Sequence, residues 1–375
     1  MYICILCVYV RQSVYMDLEL FFEMLEIDST SGKEAGLADF LSERLLTSKC
    51  RVETFDVGDG TKNLLFSWGE PKVVFCSHLD TVPPYIPPVS DGTAFHGRGS
   101  CDAKGQIFSM YEACKVLESE GYEGFGLLLL AGEETGSFGA KAFRVQHPGA
   151  EWVIVGEPTD NCMASASKGT KAFEVTFEGK AFHSGYPQYG LSAVEMFNDF
   201  MNALRSIVFP KDDILGDTTW NVGKLVSDNP QNILSDRLTC RVYFRTTFES
   251  DVMVSNVMKN IAGPEAKLRF GRRTVQDGSD IVGKDVAQWQ KSMSVKALGG
   301  DTPTRYETLE GFPMKPVAFG SDAPQLTNFS RKILCGPGSI LVAHRPEEHI
   351  LLSDLTKATE NYVHIYKTLV NKESI

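Results

Sequence analysis

The sequence predicts an α/β fold interrupted by an inserted α+β domain, and three observations carry that expectation. Apolar runs that read as buried strands, "KVVFCSH", "FGLLLLAG" and "WVIVGEP", surround a helix-period segment, "GQIFSMYEACKVLESEG". Strands that alternate with helices imply a sheet covered on both faces. From Lys168 the pattern changes, and "TKAFEVTFEGKA", "TTWNVGKLV" and "LTCRVYFRTTF" alternate apolar with polar residues, as half-solvated antiparallel strands do. The α/β character resumes near Val286, through "KILCGPGS" and a last helix from about Ser353. A chain of 375 residues is long for one core, so two domains fit its length.

Taken in order, "MDLELFFEMLEI" opens with the first convincing amphipathic helix at Met16. Residues 1–15 are expected to be a non-native or disordered extension. Their apolar run is shorter than the roughly 20 residues a membrane span needs, and they lack a basic segment and a small-residue cleavage site. "DSTSGKEAGLADFLSERLL" offers Ser and Thr as caps ahead of a second helix. Residues 16–167 and 286–375 are expected to form the larger domain. Residues 168–285 form the insert in β-α-β-β-α-β order, with helices "SAVEMFNDFMNALRSI" and "SNVMKNIAG" and a last strand at "AKLRFGRR", a ferredoxin-like arrangement.

A net charge of −11 argues against a nucleic-acid partner, which calls for a basic face. No stretch reads as a membrane span. Nine cysteines are scattered, several inside apolar runs, where a thiol behaves as a small hydrophobe. The "CILC" pair has no second pair to complete a zinc site. The expectation is a reduced, cytoplasmic protein.

Open α/β sheets place their sites just beyond the carboxyl ends of the strands, and four such places carry ligand-type residues. "VVFCSHLDTV" delivers His78 and Asp80, two apart and so on one side of an extended chain. "GRGSCDAKG" presents Asp102 ahead of a helix, "LLLLAGEE" gives Glu133 and Glu134, and "VIVGEPT" gives Glu157. "GPGSILVAHRPEEH" adds His344 in a glycine-rich loop. Singly, each has an ordinary explanation: a loop histidine, a helix cap for Asp102, a surface acid for Glu157. Together they suit zinc with mixed nitrogen and oxygen ligands. His96, His147, His349 and His364 stand in polar or helical contexts and read as structural or surface residues. "GRGSCDAKG" is loosely like a phosphate loop but lacks Gly-Lys-Ser/Thr and is no GxGxxG fingerprint.

"HLDTV", "GRGSCDAKG", "GEETGSFG", "GEPT", "KGTKAFEVTFEGKAFHSGYP" and "GPGSILVAHRPEEHI" occur in that order. In this the chain resembles the M20 metallopeptidase and deacylase family over nearly everything after Met16. The resemblance implies a zinc-peptidase-like catalytic domain holding two zinc ions per subunit, with cobalt as a substitute. His78 and Glu157 would hold one ion, Glu134 and His344 the other, with Asp102 between them. It implies Asp80 as the acid that orients a ligating imidazole and Glu133 as general base. It also implies a homodimer built through the inserted domain, with His183 reaching the partner's site as an oxyanion donor. Asn232 and Arg245 match polar residues that contact the substrate carboxylate or the intermediate, although Arg245 could equally belong to a solvated strand face. "FGSDAPQL" is similar to the corresponding segment of acetylornithine deacetylases. Asp322 there could pair with a cationic side chain or be a structural loop acid. The expected substrate is a small N-acyl amino acid, foremost N-acetylornithine. A dipeptidase, carboxypeptidase or succinyl-diaminopimelate desuccinylase activity is the alternative, and a non-catalytic metal-binding homologue the alternative of another class.

Overall fold

A computed structural model describes residues 16–58, 60–261 and 293–372. They divide into two compact units. The larger comprises the chain up to Ser165, Tyr306–Lys315 and the chain from Ser321; the smaller comprises Ala166–Arg305 and Pro316–Gly320.

The larger unit is built on a six-stranded sheet in the order Arg51–Gly58, Thr61–Trp68, Phe125–Leu130, Val73–His78, Trp152–Val155 and Arg331–Leu334. The last four run parallel and the first two are added antiparallel. Val73–His78, Phe125–Leu130 and Trp152–Val155 are buried along their whole lengths, which is why the sequence shows unbroken apolar runs and not alternation. Each fully buried leucine of Leu127–Leu130 contributes about 1.5–3 kcal/mol relative to exposure. Parallel pairing brings His78 opposite Leu130 and Val155 opposite Cys76, so the segments after these strands emerge at one edge.

Helix Lys104–Ser119 is buried on every side from Lys104 to Cys114, more than its helix-period pattern implies. It lies against the sheet strands Val73–His78 and Phe125–Leu130 and also meets the last helix, Leu352–Lys372. Phe108 from it stacks on Phe21 of helix Leu18–Glu26 with ring centres 4.9 Å apart. That first helix is capped by Asp17, whose Oδ1 accepts from Leu20 N at 3.1 Å. The second helix, Ala35–Arg44, departs from expectation because no side chain caps it. Thr30 Oγ1 donates to Asp28, and Ser31 Oγ donates to Asp80 at 2.9 Å. A small second sheet joins Val89–Ser90, Ala94–His96 and His349–Leu351, with His349 directly opposite His96.

The smaller unit has an antiparallel sheet in the order Thr219–Val226, Arg237–Thr246, Gly169–Glu178, Met293–Gly299. Helices Ala193–Arg205 and Asp251–Ile261 pack on its central strands. Leu238, Cys240, Val242 and Phe244 alternate inward to meet Met196, Phe200, Leu204, Val254 and Met258. Ser192 caps the first of these helices by accepting from Glu195 N at 3.3 Å. The expected boundary at 285/286 and the strand "AKLRFGRR" lie outside the described residues, as do residues 1–15 and the "CILC" pair. Met293–Gly299 is hydrogen-bonded into the smaller sheet, so the described chain from Met293 still serves the insert and does not return to the larger unit until Tyr306. The seven cysteines among the described residues are free thiols. No helix among them is long and apolar enough to cross a membrane.

Gly132 opens the turn after the Phe125–Leu130 strand with φ +67°. A Cβ there would lie 1.7 Å from the Phe138 ring. Gly132→Ala is expected to cost about 2–4 kcal/mol, from left-handed strain and overpacking together. Urea unfolding checks this, and an unchanged midpoint would show that the turn relaxes freely.

Candidate metal centre

Side chains from five segments of the larger unit converge at the sheet edge. His78, the last residue of its strand, directs Nε2 to Asp102 Oδ1 at 3.0 Å. His344 directs Nε2 to the other oxygen, Asp102 Oδ2, at 3.2 Å, and to Glu134 Oε1 at 2.9 Å. The Asp102 carboxylate thus meets a different imidazole at each of its two oxygens. His344 has φ +63°, a left-handed conformation costing a non-glycine residue about 1–3 kcal/mol. Three sets of donor atoms lie close enough to hold a cation: His78 with Asp102 and Glu157, Asp102 with Glu134 and His344, and His78 with Glu133 and Glu134.

The electrostatics of this cluster are dominated by burial. Glu157 and Glu133 are pushed well above the usual carboxylate range, first by desolvation and then by neighbouring acids, Asp322 among them. Glu134 is also raised, again mainly by burial. Asp102 moves the other way: burial opposes its charge, but hydrogen bonds from His344 and His78 outweigh it. The same bonds, to Asp102 and Glu134, push His344 up to about 10. Glu157 Oε1 is buried without a hydrogen-bond partner. Buried acceptors are ordinarily satisfied, and an oxygen left bare among imidazoles and acids has the setting of a cation ligand. The donor set of two nitrogens and several carboxylates fits a divalent ion of the zinc type.

Two further carboxylates shape the backbone. His78 Nδ1 faces Asp80, 2.8 Å from its backbone carbonyl and 3.5 Å from its carboxylate. The Asp80 carboxylate also accepts from Glu133 N at 2.9 Å, Glu134 N at 3.2 Å and Ser31 Oγ at 2.9 Å. It thus fixes the turn that carries both glutamates. Glu348 does the same for the Asp102 loop: its Oε1 accepts from Gly99 N, Cys101 N and Asp102 N at 3.0–3.1 Å, and its Oε2 pairs with Arg98. Lys104, fully buried, donates to the carbonyl oxygens of Met24 and Ile27 at 3.0 and 2.6 Å. Burial lowers it to about 7. Sequence reasoning missed Glu348, Arg98, Lys104 and Ser31. Available signals were an arginine between two glycines in "GRG" and a second acid in "PEEH".

Asp322 is 2 % exposed, and its charge acts on Glu133 and Glu157. His183, Asn232 and Arg245 belong to the smaller unit. There His183 Nδ1 accepts from Gly185 N at 3.1 Å, and its ring centre is 5.9 Å from that of Tyr186. The Asn232 carbonyl accepts from Ser184 N at 2.9 Å, and the Arg245 guanidinium lies 5.0 Å from the centre of the Tyr243 ring.

Imidazoles and carboxylates gathered beyond the carboxyl ends of a parallel sheet form a cluster whose donor atoms lie close enough to hold metal ions. Over residues 74–368 it matches Peptidase family M20/M25/M40. It is 32 % identical over 358 residues to a peptidase M20 domain-containing protein of Schizosaccharomyces pombe, covering 92 % of this chain and 82 % of that one. A probable carboxypeptidase of Aspergillus oryzae is 30 % identical over 381 residues, covering 91 % and 84 %. Among solved structures, a Staphylococcus aureus tripeptidase superposes with a TM-score of 0.74 at 18 % identity, covering 96 % and 99 % of the two chains. The chain belongs to peptidase family M20, and it is a hydrolase acting on amide bonds.

Glu348→Gln removes the charge that three backbone N–H groups share. Losing such outer support is expected to weaken metal binding about 10–100-fold, as measured by competition with a chromogenic chelator. Unchanged affinity in a folded variant would show that the Asp102 loop holds its shape without the clamp.

Proposed function

We propose that the protein is a two-metal peptidase that cleaves a dipeptide or releases a carboxy-terminal residue. His78 and Glu157 would hold one ion, Glu134 and His344 the second, and Asp102 would stand between them. The observation that carries this reading is Asp102 itself, whose two oxygens meet imidazoles from separate segments at 3.0 and 3.2 Å. Divalent ions bound there would supply Lewis acidity and a nucleophile drawn from water at neutral pH.

Glu133 serves as the general base. Its buried setting raises its proton affinity, which suits a group that takes a proton from the attacking water and returns it to the leaving amine. Asp80 keeps Glu133 and Glu134 at fixed separation through their amides. On the smaller unit, His183 is assigned as donor to the developing oxyanion, and Asn232 and Arg245 as partners of the substrate carboxylate. A homodimer, with His183 serving the partner's site, is part of this proposal. Zinc is the proposed metal, with cobalt as substitute. The names borne by relatives favour peptide substrates, while the same groups would also deacylate an N-acyl amino acid. N-acetylornithine is the cationic case, and that choice depends on Asp322.

A hydrolysis screen of dipeptides, carboxy-terminally extended peptides and N-acetyl and N-succinyl amino acids, with zinc or cobalt present, tests the reading. Peptide cleavage that ends on chelation is expected. Hydrolysis of N-acetylornithine with no peptide cleaved would replace the peptidase reading by the deacylase one. On the best substrate, Glu133→Gln is expected to lose about 10²–10⁴-fold in kcat with metal content intact. Loss of metal in that variant would mean Glu133 is a ligand.

A further inference from the structure

Residues 27–34, between the first two helices, turn a hydroxyl away from their own helix. Ser and Thr just ahead of a helix ordinarily cap it, yet Ala35–Arg44 starts without a side-chain cap. Ser31 Oγ donates to Asp80 Oδ2 at 2.9 Å, across a sequence separation of 49. A hydrogen bond onto a carboxylate is roughly twice as strong as one between neutral groups, and Asp80 is fully buried.

The backbone aims that hydroxyl. Thr30 and Thr81 form a parallel bridge, with Ser31 N donating to Thr81 O at 2.9 Å and Thr81 N to Ser29 O at 3.0 Å. Gly32 then turns at φ +92°, and its N–H donates to Glu34 Oε2 at 2.6 Å. Each Asp80 oxygen meets two donor groups. Oδ1 takes Glu133 N at 2.9 Å and faces His78 Nδ1 at 3.5 Å. Oδ2 takes Glu134 N at 3.2 Å as well as Ser31 Oγ. His78 stands two residues before Asp80, and the two amides belong to the turn that Asp80 clamps. Ser31 comes from a third segment, so it fixes the rotation of the carboxylate independently of the groups being placed. Glu134 has a second hold, its Oε1 meeting His344 Nε2 at 2.9 Å, so loosening the turn falls first on Glu133.

We propose that Ser31 is a positioning residue for hydrolysis: its hydroxyl sets the Asp80 carboxylate and, through the Glu133 amide, sets where the Glu133 carboxylate stands. The inference rests on the reading of Glu133 as general base. A base displaced slightly from the proton it takes slows turnover while leaving substrate binding intact. The signature therefore falls in kcat and not in KM.

Steady-state kinetics of the metal-loaded full chain, on the best substrate from the hydrolysis screen, test the inference. Ser31→Ala is expected to lower kcat about 10-fold, with KM and metal content near wild type. Ser31→Thr, which keeps the hydroxyl, is expected to retain most of the wild-type kcat. In a Glu133→Gln background Ser31→Ala is expected to cause no further loss, because a side chain that takes no proton gains nothing from its placement. Wild-type kcat in Ser31→Ala, a loss that Ser31→Thr shares in full, or a metal content that falls in step with kcat would overturn the positioning role. A further loss of the same size in the double variant would also overturn it, with Glu133 still the base. Wild-type kcat in Glu133→Gln alone would remove the base itself, and the inference with it.

Discussion

Mutual repulsion among carboxylates buried beyond the ends of parallel strands is the constraint on which the rest of the larger unit depends. Two like charges 4 Å apart cost about 4 kcal/mol at an effective dielectric constant near 20. Asp102, Glu133, Glu134, Glu157 and Asp322 share one edge of one sheet, and burial raises Glu133 and Glu157 well above their usual range. Such a cluster persists where protons or positive charge meet it. His78 and His344 meet Asp102 through their Nε2 atoms, and Glu157 Oε1 is buried without a hydrogen-bond partner, the setting of a cation ligand. Charge balance and catalytic chemistry thus ask for the same divalent ions.

Acids of one kind are put to three uses here, and environment decides which. Asp102 and Glu134 present oxygens to imidazoles, and Glu157 Oε1 is buried without a hydrogen-bond partner. Glu133, beside them, is the proposed base. Asp80 and Glu348 turn instead to backbone N–H groups and hold the two loops on which the ligands stand. Accepting several N–H bonds favours the charged form of each clamp, although burial and the charge of Asp102 raise the proton affinity of Glu348.

Much of this was legible in the chain. Unbroken apolar runs ending in His78, Glu133 and Glu157 announced buried parallel strands and the edge where their ends meet. Alternation in "LTCRVYFRTTF" announced the one-sided smaller sheet, whose inward residues Leu238, Cys240, Val242 and Phe244 form its core. What stayed hidden were roles that exist only once loops have folded. Ser31 reads as a helix cap until Asp80 is brought to it, and Glu348 reads as a surface acid until three amides of the Gly99–Asp102 loop close on it. The return to the larger unit was placed too early because Met293–Gly299 pairs with Gly169–Glu178, more than a hundred positions earlier in the chain, and no local pattern marks that pairing.

The central claim is that Asp102 stands between two metal ions. Anomalous-difference crystallography at the zinc edge, on crystals of the zinc-loaded protein, tests it most directly. Two peaks about 3.5–4 Å apart, one beside His78 and Glu157 and one beside His344 and Glu134, each within ligand distance of a different Asp102 oxygen, are the predicted result. A single peak, or peaks that leave Asp102 unligated, would contradict it.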